Sequence, residues 1–233
     1  DDNFVSIVSA VEQGRIIYSN IRKFVYYLLS CNLAEIMIIF IATLLNWPAP
    51  LTAIQLLWLN LLTDGAPALA LGLEKGDPDV MERPPRPPQE PIINKEMRLG
   101  MAVQTVFITA AVLLAFRIGI GWGELELAES MAFVTLSVSE LARAYTSRSE
   151  HFALWNIGVF SNRYMQYAVA VSLVLLALVI YVPFLQPIFN TAPLGLREWG
   201  VMLPLIFVPS IAAEATKWYL RRTAPKGHAT ATA

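Results

Sequence analysis

The sequence predicts an all-α fold: a polytopic membrane helix bundle of six transmembrane helices, with a long cytoplasmic extension of the first. Three observations predict it. Of 233 residues, 56% are hydrophobic and only 15% charged, against roughly 25% charged in an ordinary soluble domain. The apolar residues fall in runs long enough to cross a bilayer, which takes ~20 residues per helix. The basic residues are also sorted by position, as the loops of a multi-pass protein are.

Composition excludes several functions before any element is placed. A net charge of −1 provides no field that would recruit nucleic acid. One cysteine, Cys31, excludes an intrachain disulfide, and with only His151 and His228 beside it a structural zinc site is not expected. The opening Asp1-Asp2-Asn3 lacks the basic region of a signal peptide, so the chain reads as cut from something longer.

Taken in order, residues 1–23 form a cytoplasmic stalk helix that continues into the first span. Phe4, Ile7, Val8 and Val11 recur at helical spacing, with Asp2 or Asn3 available as N-cap. Apart from Gly14, nothing between Phe4 and Leu45 strongly breaks a helix. A continuous rod there measures about 63 Å at 1.5 Å per residue, twice the hydrocarbon thickness, and such a length suits docking against a soluble domain. A separate surface-lying helix is the alternative.

Residues 24–222 make the transmembrane domain, with spans at about 24–46, 51–73, 98–120, 127–145, 164–186 and 198–220. The first carries Glu35 as its only charge between Phe24 and Leu45, and the second only Asp64 between Leu51 and Leu73. The third, fifth and sixth have uncharged cores, whereas the fourth is weaker and holds Glu129 and Glu140. Phe152 to Phe160 is too short to cross and reads as an interfacial or packed segment. Arg83-Pro84-Pro85-Arg86-Pro87-Pro88-Gln89-Glu90-Pro91 reads as a stiff connector between spans, with an SH3-type ligand as the lesser alternative. Residues 223–233 form a disordered tail.

With the N-terminus cytoplasmic, Arg15, Arg22, Lys23, Lys75, Arg83, Arg86, Lys95, Arg98, Arg143, Arg148, Arg163, Lys217, Arg221, Arg222 and Lys226 fall inside, and only Arg117 and Arg197 outside. Both ends of the chain are therefore expected in the cytoplasm. Trp47, Trp122 and Trp199 fall at the outer boundaries, where an aromatic belt is expected.

Ionisable groups at membrane depth are costly and mark function. Asn32 and Glu35 are i, i+3 on the first span; Asn60, Thr63 and Asp64 share a face of the second; Glu140 lies on the fourth. Together these six residues offer only oxygen ligands and up to three negative charges, a set that suits a hard cation such as calcium. Pro67 removes the N–H that the Thr63 carbonyl would receive, and Gly65 tolerates unwinding, so freed carbonyls are expected there. The bland alternative is a protonated Asp64 that merely glues helices. Glu214 and Lys217, i, i+3 near the end of the last span, are expected to pair structurally.

At these residues the sequence resembles the C-terminal membrane half of a P-type cation-transporting ATPase, most closely the calcium pumps of the sarcoplasmic-reticulum type and their bacterial relatives. Asp1-Asp2-Asn3-Phe4 with Ile7-Val8-x-Ala10-Val11-Glu12-x-Gly14-Arg15 is similar to that family's exit from the phosphorylation domain into its fifth helix. Leu56-Leu57-Trp58-x-Asn60-Leu61-x-Thr63-Asp64-Gly65-x-Pro67-Ala68 resembles its sixth helix, and Met81-x-Arg83-Pro84-Pro85-Arg86 the loop beyond. The resemblance implies that Asn32, Glu35, Asn60, Thr63, Asp64 and Glu140 are calcium ligands, with Asp64 shared by two ions. It also implies a bacterial plasma-membrane pump with proton counter-transport. ATP and magnesium would then act on the full-length parent, through phosphorylation, nucleotide-binding and actuator domains and four further helices.

The Asp-Lys-Thr-Gly-Thr phosphorylation motif, the actuator Thr-Gly-Glu and the hinge Gly-Asp-Gly-x-Asn-Asp are not among these residues. This chain alone is accordingly expected not to hydrolyse ATP. Tyr26 stands where those calcium pumps usually carry a polar or basic residue. The oxygen cluster by itself also suits a stand-alone secondary transporter or channel, and the spans by themselves an accessory scaffold.

Overall fold

The computed structural model describes residues 4–85, 87, 89–149 and 152–223. The expected N-cap at Asp2 or Asn3 and the tail beyond Thr223 lie outside the described residues, as do Arg86 and Pro88 of the proline-rich connector. Every regular element described is helical. α1 (Phe4–Leu44) is unbroken over 41 residues. The second span is composite: α2 (Ala53–Trp58), a π-helical turn over Leu59–Thr63, and α3 (Gly65–Gly72). The rest comprises α4 (Lys95–Gly121), α5 (Leu125–Thr146), the short α6 (Leu154–Ile157), α7 (Arg163–Tyr181), the short α8 (Gln186–Phe189) and α9 (Leu196–Thr223).

Five of these helical stretches are long and apolar enough to cross a membrane: α1, the composite 53–72, α4, α7 and α9. α5 has the length but not the composition, because Glu126, Glu129, Glu140 and Arg143 all lie on it. It is the central helix of the bundle. From Ala128 to Ser137 every residue is buried by protein, so its polar groups face other helices rather than lipid. The approach to α4 is close enough to need a glycine: a Cβ on Gly119 would lie 2.6 Å from the Cα of Ala128. Gly100 performs a similar service for Tyr26, whose hydroxyl would meet a Cβ there at 2.6 Å. The aromatic ring at that unusual position thus packs α1 onto α4.

The second span departs from the expected unwinding at Gly65 and Pro67. The irregularity falls one turn earlier, where the Asp64 N–H donates to the Leu59 carbonyl at 2.9 Å, five residues back. The physical reason is that Pro67 fits the first turn of a new helix, where an N–H has no partner in any case. The chain therefore widens before Asp64 and restarts at Gly65. The Leu62 carbonyl accepts from the Ser172 hydroxyl of α7 at 3.3 Å. At its start the span is fixed by a capping box of Thr52 with Gln55.

Two apolar layers hold the bundle. One joins Ala34, Ile38, Leu59, Phe116, Phe133 and Leu136, and the other Tyr27, Cys31, Ala68, Leu71, Leu141 and Met165. On α1 the layers part between Cys31 and Ala34, on the second span between Leu59 and Ala68, and on α5 between Leu136 and Leu141. Asp64 and Glu140 fall in that gap, and Glu35 borders it beside Ala34.

At one end of α1 a set of polar contacts ties it to the chain after α3. Arg15 donates to the carbonyls of Val80 (2.9 Å) and Arg83 (2.7 Å), and Asn20 to that of Glu74 (2.7 Å). Lys23 pairs with Asp77 at 3.3 Å. Arg148 grips Glu74 through two hydrogen bonds of 2.8 and 2.9 Å. Arg143, Arg148 and Lys23, read from sequence as cytoplasmic-side charges, are fully or almost fully buried. Each meets a partner distant in sequence: Ser30 for Arg143, Glu74 for Arg148 and Asp77 for Lys23. Glu214 and Lys217 do pair, at 3.0 Å.

Candidate cation site

Three helices bring carboxylates to the polar gap. α1 contributes Glu35, the π-turn junction contributes Asp64, and α5 contributes Glu140; relative exposures are 6%, 0% and 0%. The wide turn matters because Asp64 follows it directly and α3 begins at Gly65, so its direction is set by both halves of the broken span. Thr63 is buried beside it.

Glu35 accepts from the Asn60 side-chain amide at 2.8 Å through Oε2, while its Oε1 is buried without a hydrogen bond. Asp64 Oδ1 accepts from the Tyr27 hydroxyl at 3.2 Å, and Oδ2 makes no hydrogen bond. Both carboxylate oxygens of Glu140 are likewise buried and unbonded. Buried oxygens without donors are rare in a finished fold because each forfeits its hydration. Four such oxygens on three facing helices are what a cation would satisfy.

Of the six residues expected from sequence, Asp64 and Glu140 are brought together, their nearest ligand atoms lying within 4.8 Å of each other and of Cys31 Sγ. Glu35 and Asn60 form a bonded pair alongside, and the charges of Glu35, Asp64 and Glu140 act on one another. Asn60 is exposed at its edge. Asn32 turns away: its amide donates to the Leu28 carbonyl of its own helix at 2.8 Å.

Sequence reasoning passed over Tyr27, Ser30, Cys31 and Arg143 at this site. Tyr27 bridges Asp64 Oδ1 and the Glu140 carbonyl, the latter at 3.3 Å. Arg143 is wholly buried, donates to Ser30 Oγ, lies 3.9 Å from Cys31 Sγ and stacks 5.6 Å from the Tyr27 ring. A helical-wheel reading would have found them, because Tyr27, Cys31 and Glu35 follow at i, i+4, i+8 and Arg143 stands three residues after Glu140.

A sequence model of the family described as "Cation transporting ATPase, C-terminus" matches residues 48–219. The chain is 38% identical over 234 residues to Calcium-transporting ATPase 1 of Bacillus cereus, covering 93% of this chain and 26% of that protein. It is 40% identical over 212 residues to the Calcium-transporting ATPase of Bacillus subtilis (90% and 24%). With the human Calcium-transporting ATPase type 2C member 1 the identity is 38% over 223 residues (93% and 24%). The chain therefore spans about a quarter of the length of the curated relatives it matches.

Proposed function

The chain belongs to the cation-transporting P-type ATPases as their C-terminal membrane part, and from that premise we propose that it supplies the ion-binding half of an ATP-driven calcium pump. The observation that carries the proposal is the place where the two apolar layers meet, at which Glu35, Asp64 and Glu140 hold four oxygens without donors. An all-oxygen, multiply charged set favours a hard divalent cation, and the names of the relatives favour calcium among them.

Asp64 is the central ligand, with Thr63, Glu140, Glu35 and Asn60 around it, and Asn32 joins by turning from Leu28. Emptied of calcium, carboxylates held out of water are neutralised by protons, which gives counter-transport of protons. ATP and magnesium act on the parts of the parent that the relatives contain beyond this chain. α1 carries their movement to the site, since it runs unbroken from its exposed first turns to Glu35. The similarity to two Bacillus proteins supports a bacterial plasma membrane.

The test is calcium-dependent ATP hydrolysis and calcium uptake by the intact protein in vesicles. Asp64→Asn keeps the shape but removes a charge, and uptake should fall by two or more orders of magnitude. Glu35→Gln and Glu140→Gln should raise the calcium requirement about 10–100-fold, the usual cost of disturbing a metal site. Glu214→Gln, in a peripheral pair, should leave it unchanged. Wild-type calcium dependence in Asp64→Asn would remove the assignment.

A further inference from the structure

We propose that the same site takes a thiophilic divalent cation of calcium's size, cadmium, with Cys31 Sγ as a ligand beside Asp64 and Glu140. The inference rests on the reading of this site as the cation site and adds sulfur to it. Cys31 is fully buried, and one ligand atom from each of the three residues lies within 4.8 Å of the other two. The thiol is not alone. Asp64 Oδ2 and both oxygens of Glu140 are buried and make no hydrogen bond, so three free oxygens and one sulfur surround the same small space.

Softness and size select the ion. A thiolate among carboxylates favours a soft or borderline metal over calcium. The three ligand atoms lie within 4.8 Å of one another, close enough to share one ion, and among sulfur-binding divalent cations cadmium matches calcium closely in radius.

Charge closes the argument. On binding, the thiol proton leaves to solvent as the metal–sulfur bond forms. The thiolate and two carboxylates then balance the divalent cation and the Arg143 guanidinium, which stands 3.9 Å from the sulfur. Buried charge is thereby compensated within one shell, as it must be at this depth.

The experiment titrates cadmium chloride into the intact protein in detergent and follows thiolate-to-cadmium charge transfer in the ultraviolet, taken as the difference from Cys31→Ser so that other thiols cancel. Wild type should give a difference band that saturates with a single cadmium and is removed by excess calcium. Cys31→Ser should bind cadmium at least about tenfold more weakly, and an unchanged circular-dichroism spectrum and elution volume show that it is folded. Cadmium binding of wild-type strength in Cys31→Ser, still displaced by calcium, would overturn the sulfur ligand and leave the calcium site standing. Cadmium binding that calcium does not displace and that survives Asp64→Asn would overturn both.

Discussion

At the scale of the residue, the side chain that most changes the reading of the site is Arg143. A guanidinium with no exposure cannot be a loop charge. Its neighbours are Ser30, Cys31 and the face of Tyr27, and it acts electrostatically on Asp64 and Glu140. It is a permanent counter-charge to the carboxylates of the polar gap. Arg143→Leu removes that counter-charge, and buried charge left without compensation is destabilising. The apparent melting temperature of the intact protein should fall, and saturating calcium should restore much of the loss, because the ion replaces the missing charge. A deficit indifferent to calcium would reduce Arg143 to a packing role.

At the scale of the element, the contacts between α1 and the chain after α3 depend on a buried ion pair. Burial alone would raise the Asp77 carboxyl, but Lys23 and Arg83 outweigh it and hold Asp77 below the ordinary carboxylate range. A lowered folded value means that the pair's stability is fully present above the unfolded value of about 4 and is lost as pH falls through the lower folded one. Asp77→Asn should therefore lower the melting temperature at neutral pH, where Lys23 is left buried and unpaired at a cost of about 3–5 kcal/mol. The difference from wild type should shrink steadily below about pH 4; a difference constant down to acid pH would show that charge is not the cause. This element also marks the limit of what the sequence conveys. α1, α4, α7 and α9 are legible because runs of apolar residues at membrane length admit few other folds. Glu35, Asp64 and Glu140 stand out because a charge inside such a run is costly. Arg143, Arg148 and Lys23 are not legible in the same way. A basic residue near a helix end reads equally well as solvated, and the groups that bury Lys23 and Arg148 lie 54 and 74 residues away. The π-turn is hidden for a related reason: Pro67 announces a break, but where the break falls depends on what α7 offers the freed carbonyl.

At the scale of the whole molecule, the two ends of the bundle differ in chemistry, and the difference predicts an orientation. At one end the last turns of α1, α4 and α7 meet the first turn of α9. There Arg117 stacks 5.9 Å from the Trp47 ring, Arg197 3.9 Å from that of Trp122, and the Trp199 ring N–H donates to the Tyr181 hydroxyl at 2.8 Å. Tryptophan and tyrosine gathered at one level form an interfacial belt. The other end holds Lys23 with Asp77, Arg148 with Glu74, and Lys217 on the Thr146 carbonyl. Insertion reads the nascent chain before tertiary pairs form, so cations that finish buried still count toward orientation. On the division of 15 to 2 read from the sequence, the belt end should face outside with both ends of this chain inside. Single-cysteine labelling of the intact protein on a Cys31→Ser background tests this with a reagent that does not cross the membrane. Pro48 and Glu124 are exposed at the belt end and Glu82 at the other, whereas Thr191 is buried and would be a poor reporter. Pro48→Cys and Glu124→Cys should label in intact cells, and Glu82→Cys only after the membrane is opened. Labelling of Glu82→Cys in sealed cells, with Pro48→Cys and Glu124→Cys protected, would invert the bundle and with it the side from which calcium is taken.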